Sequence, residues 1–224
     1  EGIILTESIF SMDGDQAPLL EIQTLAEKYE CLLIVDEAHS DGVLGPEGKG
    51  LVHKLQLEDK VDLVISTFGK AYGCSGAIVT GGSLLIDTLL QKSRGLTYTT
   101  AIPPAMAHAI STSMDISIEE PHRRENLQTL SNDFRQALQE NGFDIAGSQS
   151  QIVPIILGGN ERALTWAEKI QQRGYWVQAI RQPTVPQGSA RLRLNICAHH
   201  TQAQVEDLLK LILKIQESEG AGPS

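Results

Sequence analysis

The sequence predicts an α/β protein in which a mainly parallel sheet with helices is followed by a smaller α+β part. Two observations predict the first part: short apolar runs alternate with helical patterns, and the runs are continuous, as is typical of parallel strands covered on both faces. A third observation predicts the second part. After Pro103 the pattern changes to two long helices and then to mixed strands and helices.

The first half contains four predicted strands and one clear helix. The strands cover residues 3–7, 32–35, 62–67 and 76–80. The helix covers residues 17–29, with Pro18 near its first turn and apolar residues at helical spacing.

The second half is predicted to form a separate domain. Helices are expected at residues 105–118, 123–140 and 162–173 and from residue 201, with strands at 152–157, 176–180 and 190–195. Because Pro121 would stop one helix and start the next, the predicted large-domain part covers residues 1–118 and the small domain covers residues 119–216. Residues 217–224 are expected to be a flexible tail.

Composition excludes several classes of function. The 224 residues carry a net charge of −10, which disfavours a nucleic-acid binder. We find no apolar run of the ~20 residues that a membrane span needs and no secretion signal at the start. Three widely spaced cysteines argue against a disulfide framework and against a zinc site of paired cysteines, so we expect a reducing, cytoplasmic location. Since the chain opens without Met on a strand-like run, we also expect it to begin inside a longer protein.

Polar side chains follow the predicted strands where ligands of α/β sheets bind. Asp36 and His39 follow the second strand, Lys70 lies in a glycine-rich turn after the third, and Ser11 follows the first. A lysine can form an imine with an aldehyde, and a buried carboxylate needs a cation such as a protonated pyridine nitrogen. Together these groups describe a site for pyridoxal phosphate.

Each residue also has a simpler interpretation. Lys70 alone could be a solvated surface lysine, Asp36 a helix N-cap and His39 a hydrogen-bonded structural histidine. Ser11 alone could be a turn residue. His199 and His200 are sequence neighbours and could not both face one metal ion from a helix, so we expect no metal site.

Five motifs in order resemble the α-oxoamine synthases, a fold-type I, aminotransferase-like family of pyridoxal phosphate enzymes. They are residues 7–15 (ESIFSMDGD), 35–40 (VDEAHS), 67–70 (TFGK), 183–186 (PTVP) and 190–194 (ARLRL). The match runs over nearly the whole chain.

The resemblance implies a cofactor role for five residues. Lys70 would hold pyridoxal phosphate and act as acid and base, and Asp36 would pair with the pyridine nitrogen. His39 and Ser11 would lie against the ring hydroxyl, and Thr67 would contact the phosphate.

Four further roles follow from the resemblance. Arg193 would bind the carboxylate of the amino acid, and Thr184 would lie at the substrate entrance. Thr99 and Thr100 would reach the phosphate site of a second subunit, which implies a homodimer.

The implied activity is that of an acyltransferase that joins L-alanine to a pimeloyl thioester, on coenzyme A or a carrier protein, with loss of carbon dioxide. The run at residues 180–186 favours this biotin-pathway reaction within the family. Two alternatives remain open: a glycine-using relative, and a non-catalytic domain. Members of the family have roughly 150 further residues before this point, so the resemblance implies that this chain lacks an N-terminal segment and alone binds the cofactor poorly.

Overall fold

A computed structural model describes residues 2–220 and divides the chain into two compact units. The N-terminal unit comprises the residues up to Phe10 together with Ala17–Arg124. The C-terminal unit comprises Ser11–Gln16 and the chain from Glu125 onward. Each unit is described by itself below.

The N-terminal unit is built on a four-stranded sheet with the order β1-β2-β3-β4. Its strands are β1 (Gly2–Glu7), β2 (Cys31–Asp36), β3 (Leu63–Thr67) and β4 (Ala77–Gly81). Its helices are α1 (Leu19–Lys28), α2 (Gly50–Lys54), α3 (Ser83–Lys92), α4 (Arg94–Thr97) and α5 (Pro104–Glu119). Because β1, β2 and β3 are parallel and only β4 is antiparallel, the predicted α/β class with a mainly parallel sheet is confirmed.

The last strand of this sheet differs from the sequence prediction. The apolar run at β4 was expected to be covered on both faces, but all five residues of β4 are exposed. Residues 68–76 alone connect β3 to β4, and a parallel connection needs about a dozen residues or more. The short connection therefore makes an antiparallel pair, which hydrophobicity alone does not reveal.

The C-terminal unit contains a three-stranded antiparallel sheet with the order β5-β7-β6. Its strands are β5 (Ile152–Gly158), β6 (Gln178–Ile180) and β7 (Ala190–Asn195). Its helices are α6 (Pro121–Glu140), which begins in the N-terminal unit, α7 (Asn160–Gln171) and α8 (Gln202–Gly220). The core of this unit includes Phe134, Leu138, Ile155, Trp166 and Leu192, whose exposed fractions are 1% or less.

One short segment from the start of the chain belongs to the C-terminal unit. Ser11–Gln16 lies within the predicted large domain, but Arg193 Nε donates a 2.6 Å hydrogen bond to the carbonyl oxygen of Ser11. Asp13 also forms an ion pair with Arg191. These long-range contacts connect the segment to β7. The main division between the units falls after Arg124, whereas the sequence predicts it after residue 118, so the first turn of α6 belongs to the N-terminal unit.

The last described residues of the chain belong to a helix. The expected flexible tail begins at residue 217, yet α8 continues to Gly220. The carboxylate of Glu219 accepts hydrogen bonds from Trp166 Nε1 at 2.6 Å and from Arg162 Nε at 2.9 Å, which hold this last turn of the helix. Residues 217–220 are therefore helical, the expected flexibility of the tail stays a prediction, and residues 221–224 lie outside the described residues.

The N-terminal unit exposes large apolar side chains. Ile3 and Leu5 of β1 are each 66% exposed, and Leu84 of α3 is 80% exposed. Large exposed apolar side chains of this kind are available for contacts with other molecules. Among residues 2–220, no helix combines the length and the apolar character that crossing a membrane requires.

A buried carboxylate organises the turn that follows β2. Glu37 is 2% exposed, and its Oε1 accepts hydrogen bonds from the amides of Leu51 at 2.7 Å and Val52 at 2.8 Å, at the start of α2. The preceding Gly50 has a φ of +89°, and a Cβ there would overlap the Glu37 carboxylate. Burial raises the pKa of Glu37 from 4.5 to about 7.

This pKa predicts a pH dependence of stability. Between pH 4.5 and about 7 the folded chain holds a proton on Glu37 that the unfolded chain has lost. The free energy of unfolding therefore falls as the pH rises through this window, by about 3 kcal/mol from this group, and is level above it. In Glu37→Gln this contribution should be absent, as measured by urea unfolding from pH 4.5 to 8.

The exposed Glu21 on α1 provides the matched control. Glu21→Gln should reproduce the pH profile of the unsubstituted chain. If the profiles of Glu37→Gln and the unsubstituted chain run parallel, Glu37 does not titrate in this window.

Candidate active site

The carboxyl ends of β2 and β3 bring three of the predicted residues to one edge of the sheet. Asp36 ends β2 and is in register with Ile65 of β3, two residues before Thr67. Lys70 lies in the turn that follows. Since neighbouring strands lie about 4.8 Å apart, Asp36 and Thr67 share an edge, and the chain continues directly from this edge to Lys70.

Backbone hydrogen bonds between nearby residues shape the turn that contains Lys70. The amide of Cys74 donates to the Phe68 carbonyl at 2.7 Å, and the amide of Gly73 donates to the Lys70 carbonyl at 3.1 Å. Gly73 has a φ of +63°, which favours glycine at this position. Lys70 itself is exposed because the turn continues beyond the end of β3.

The turn after β2 is fixed at both ends. Asp36 Oδ1 accepts a 2.8 Å hydrogen bond from the Ala38 amide, so the carboxylate has a defined orientation. The buried hydroxyls of Ser8 and Ser40 are 2.6 Å apart and connect the end of β1 to this turn. His39 is half-buried between these anchored residues.

A tyrosine connects the two turns. The hydroxyl of Tyr72 donates a 2.8 Å hydrogen bond to Asp41 Oδ1, and the Tyr72 carbonyl accepts one of 2.8 Å from Ser113 Oγ. Burial, and then the contact with Asp41, raises the pKa of Tyr72, so the phenol stays protonated and donates. The turn with His39 and the turn with Lys70 are therefore joined through Asp41. Sequence reasoning missed this contact because the two residues are 31 positions apart.

Thr67 offers a donor that lacks a partner. Its Oγ1 is buried and makes no hydrogen bond within the described part of the chain. A buried hydroxyl in this state costs about 1–3 kcal/mol. A phosphate oxygen would accept its proton, so the residue predicted to contact the cofactor phosphate has the free donor that this contact needs.

Three further predicted residues belong to the C-terminal unit, which is described by itself. Ser11, Thr184 and Arg193 belong to the C-terminal unit, where the Arg193–Ser11 hydrogen bond brings two of them together. Burial lowers the pKa of the Arg193 guanidinium from its ordinary value. Thr184 is exposed in the loop between β6 and β7.

Thr99 and Thr100 lie between α4 and α5 in the N-terminal unit. Both are exposed, and the Thr99 amide donates to the Leu96 carbonyl at 3.3 Å. Their expected contact with a second subunit stays a prediction.

Known proteins resemble this chain along almost its full length. A putative 8-amino-7-oxononanoate synthase of Geobacillus kaustophilus is 47% identical over 204 residues, which cover 91% of this chain and 52% of that relative. The 8-amino-7-oxononanoate synthase of Marinobacter nauticus is 44% identical over 213 residues, which cover 95% of this chain and 54% of that relative. A structure of SPT with a PLP internal aldimine superimposes with a TM-score of 0.91 at 30% identity and covers 97% of this chain and 55% of that one.

The expected resemblance to α-oxoamine synthases is therefore confirmed. The chain spans about half the length of the curated relatives that it matches. The sequence profile of the Aminotransferase class I and II family matches residues 1–212. The chain belongs to the Aminotransferase class I and II family.

Proposed function

We propose that this chain forms part of a pyridoxal phosphate-dependent acyltransferase that condenses L-alanine with a pimeloyl thioester. The products would be 8-amino-7-oxononanoate, carbon dioxide and the free thiol of coenzyme A or of a carrier protein, as a step of biotin biosynthesis. The observation that carries this proposal is the placement of Asp36, Thr67 and Lys70 at one sheet edge, with the buried Thr67 hydroxyl lacking a partner. The names of the relatives support the choice of substrates.

Five residues would hold the cofactor. Lys70 would bind its aldehyde carbon, Asp36 its pyridine nitrogen and Thr67 its phosphate, while His39 and Ser11 would contact the ring hydroxyl. When bound, pyridoxal phosphate supplies an electron sink for a carbanion at the amino-acid α-carbon.

One hydrogen bond supports the proposed role of Asp36. The hydrogen bond from the Ala38 amide to Oδ1 fixes the plane of the carboxylate. A fixed negative charge at the end of a strand holds a proton on a facing ring nitrogen more strongly than water would, because little reorganisation is needed. Asp36 would thus keep the ring nitrogen cationic throughout the reaction.

Lys70 and Arg193 would act on the amino acid. The Lys70 amine would remove the α-proton and later return a proton to the product. Arg193 uses Nε to bind the Ser11 carbonyl, which orients the planar guanidinium. Its two terminal nitrogens are the pair that would bind a carboxylate in a two-pronged manner.

We further propose a cytoplasmic homodimer. Thr99 and Thr100 lie in an exposed segment that could reach a phosphate site in a second subunit. The exposed apolar side chains of the N-terminal unit provide surface for such contacts.

Replacement of Lys70 tests the cofactor assignment. In the full-length protein, Lys70→Ala should abolish the visible absorbance of lysine-bound pyridoxal phosphate, and borohydride should no longer label the peptide that contains this position. Lys92→Ala, which removes an exposed lysine from α3, is the control and should leave the spectrum unchanged. An unchanged spectrum in Lys70→Ala would show that another amine holds the cofactor.

Replacement of Arg193 tests carboxylate binding. Arg193→Lys keeps the positive charge but loses the two-pronged geometry, so the KM for alanine should rise about 5- to 150-fold, which corresponds to ~1–3 kcal/mol. The KM for the acyl thioester should change much less. Arg173→Lys, an exposed arginine of the same unit, serves as the control for steady-state kinetics. Equal KM values for alanine in Arg193→Lys and the unsubstituted enzyme would contradict the assignment.

Competition between amino acids tests the substrates. With pimeloyl-coenzyme A and equimolar alanine, glycine and serine, mass spectrometry should find the alanine-derived product in excess. Glycine or serine product in excess would overturn the choice of alanine while leaving the cofactor assignment in place. Absence of any condensation by a full-length protein that shows the lysine-bound cofactor would overturn the proposed reaction.

A further inference from the structure

Three potential metal ligands converge in the turn between β7 and α8. One ligand atom each from Cys197, His199 and His200 lies within 4.8 Å of the other two. The two imidazole rings meet edge to face, with centroids 4.9 Å apart. The expectation that these histidines could not share a metal assumed helical geometry. Residues 197–200 form a turn instead, and in a turn adjacent side chains can point to a common centre.

The backbone of this turn is fixed on its inner side. The amide of His200 donates a 3.0 Å hydrogen bond to the Cys197 carbonyl, which closes the turn. Asn126 of α6 donates from Nδ2 to the Ala198 carbonyl at 2.8 Å. A helix of the same unit therefore holds the peptide that joins the cysteine to the two histidines.

The turn is also fixed where α8 begins. Thr201 Oγ1 accepts a 3.2 Å hydrogen bond from the amide of Gln204, whose Oε1 accepts one of 2.9 Å from the Thr201 amide. This reciprocal pair is a capping box. Together with the Asn126 contact, the capping box holds the backbone that carries the three ligands.

We propose that Cys197, His199 and His200 bind one divalent transition-metal ion of the Zn²⁺ class, with water completing a tetrahedral site. A thiolate and two imidazoles are the ligands that Zn²⁺ and Co²⁺ prefer, whereas Mg²⁺ and Ca²⁺ prefer oxygen. Metal–ligand bonds of about 2.0–2.3 Å place tetrahedral ligand atoms roughly 3.3–3.7 Å apart. The three ligand atoms lie within 4.8 Å of one another, so they would have to move closer by roughly 1 Å to reach this range.

Metal binding at this turn would exchange a thiol proton for the ion. On binding, the S–H bond of Cys197 breaks, a metal–sulfur bond forms and one proton passes to solvent, with no change of oxidation state. His200 Nδ1 accepts a long 3.2 Å hydrogen bond from the Cys197 amide, and coordination through this atom would exchange that bond for a metal bond.

An adjoining cavity gives a hydrated ion access to the ligands. Cys197 and His200 line a cavity of about 470 Å³ within the C-terminal unit. Arg193 lines the same cavity, and its positive charge opposes a second cation, so we expect it to weaken binding. The single negative thiolate that forms on coordination offsets part of this repulsion.

Cobalt absorption spectroscopy tests this site directly. Untagged full-length protein is freed of metal with a chelator, kept reduced and titrated with Co²⁺. We expect one equivalent to produce a near-ultraviolet thiolate-to-cobalt band and the intense visible bands of tetrahedral Co²⁺, and Zn²⁺ to abolish both. Cys197→Ser should eliminate the thiolate-to-cobalt band, and His199→Ala should weaken binding at least tenfold.

Matched controls separate this site from the other thiols and imidazoles of the chain. Cys31→Ser and His108→Ala should titrate like the unsubstituted protein. Because His199 is exposed, His199→Ala keeps the test valid even if Cys197→Ser fails to fold. Absence of a cobalt–thiolate band, or its persistence in Cys197→Ser with native circular dichroism, would overturn the metal site. Neither result bears on Lys70 or Asp36, because this inference does not rest on the proposed reaction.

Discussion

The parallel pairing of β2 with β3 is the constraint on which the candidate site depends. The register that places Asp36 opposite Ile65 brings the carboxylate and Thr67 to the same edge. A slip of one residue would turn every side chain of β2 to the opposite face of the sheet. Leu33 and Val35, which are fully buried, would then leave the core, and Asp36 would reverse its direction. Burial of these two apolar side chains therefore fixes the direction of a charged group that contributes nothing to the core.

Side-chain contacts outside the sheet hold the two turns at this edge in place. The Ser8–Ser40 contact and the Tyr72–Asp41 hydrogen bond connect the turn after β2 to β1 and to the turn after β3. The Thr67 hydroxyl is buried and makes no hydrogen bond within the described residues, as is also true of a few other buried polar atoms such as Ser131 Oγ. Proteins satisfy nearly all of their buried polar groups, and they tolerate exceptions mainly at functional sites. A bound anion would satisfy this hydroxyl and recover the free energy that its burial costs.

The sequence predicts the local features well because their causes are local. Continuous apolar runs indicate buried strands, so β2 and β3 and their polar ends could be predicted from residues 32–36 and 62–67. The direction of β4 depends on the length of a connection. The position of Ser11–Gln16 depends on hydrogen bonds to residues about 180 positions later. Likewise, the last turn of α8 is held by hydrogen bonds from Trp166 and Arg162 to Glu219. The hydrophobic periodicity of a single segment cannot predict contacts between such distant residues.

The two arginines of β7 differ in whether their charge is paired within the protein. One forms an ion pair with a carboxylate, and the other keeps a charge that can bind a ligand. Arg191 and Arg193 are two residues apart and therefore face the same side of the strand. Arg191 is 5% exposed and forms an ion pair with the Asp13 carboxylate, so its charge is already compensated. Arg193 is half-buried, and its Nε binds a carbonyl oxygen, which orients the guanidinium without neutralising it. A carboxylate that reached Arg193 would meet an oriented positive charge in a partly desolvated setting, where ionic hydrogen bonds are stronger than in water. Both arginines contact the Ser11–Gln16 segment. The Arg191–Asp13 ion pair therefore supports the same segment whose Ser11 carbonyl accepts the hydrogen bond from Arg193.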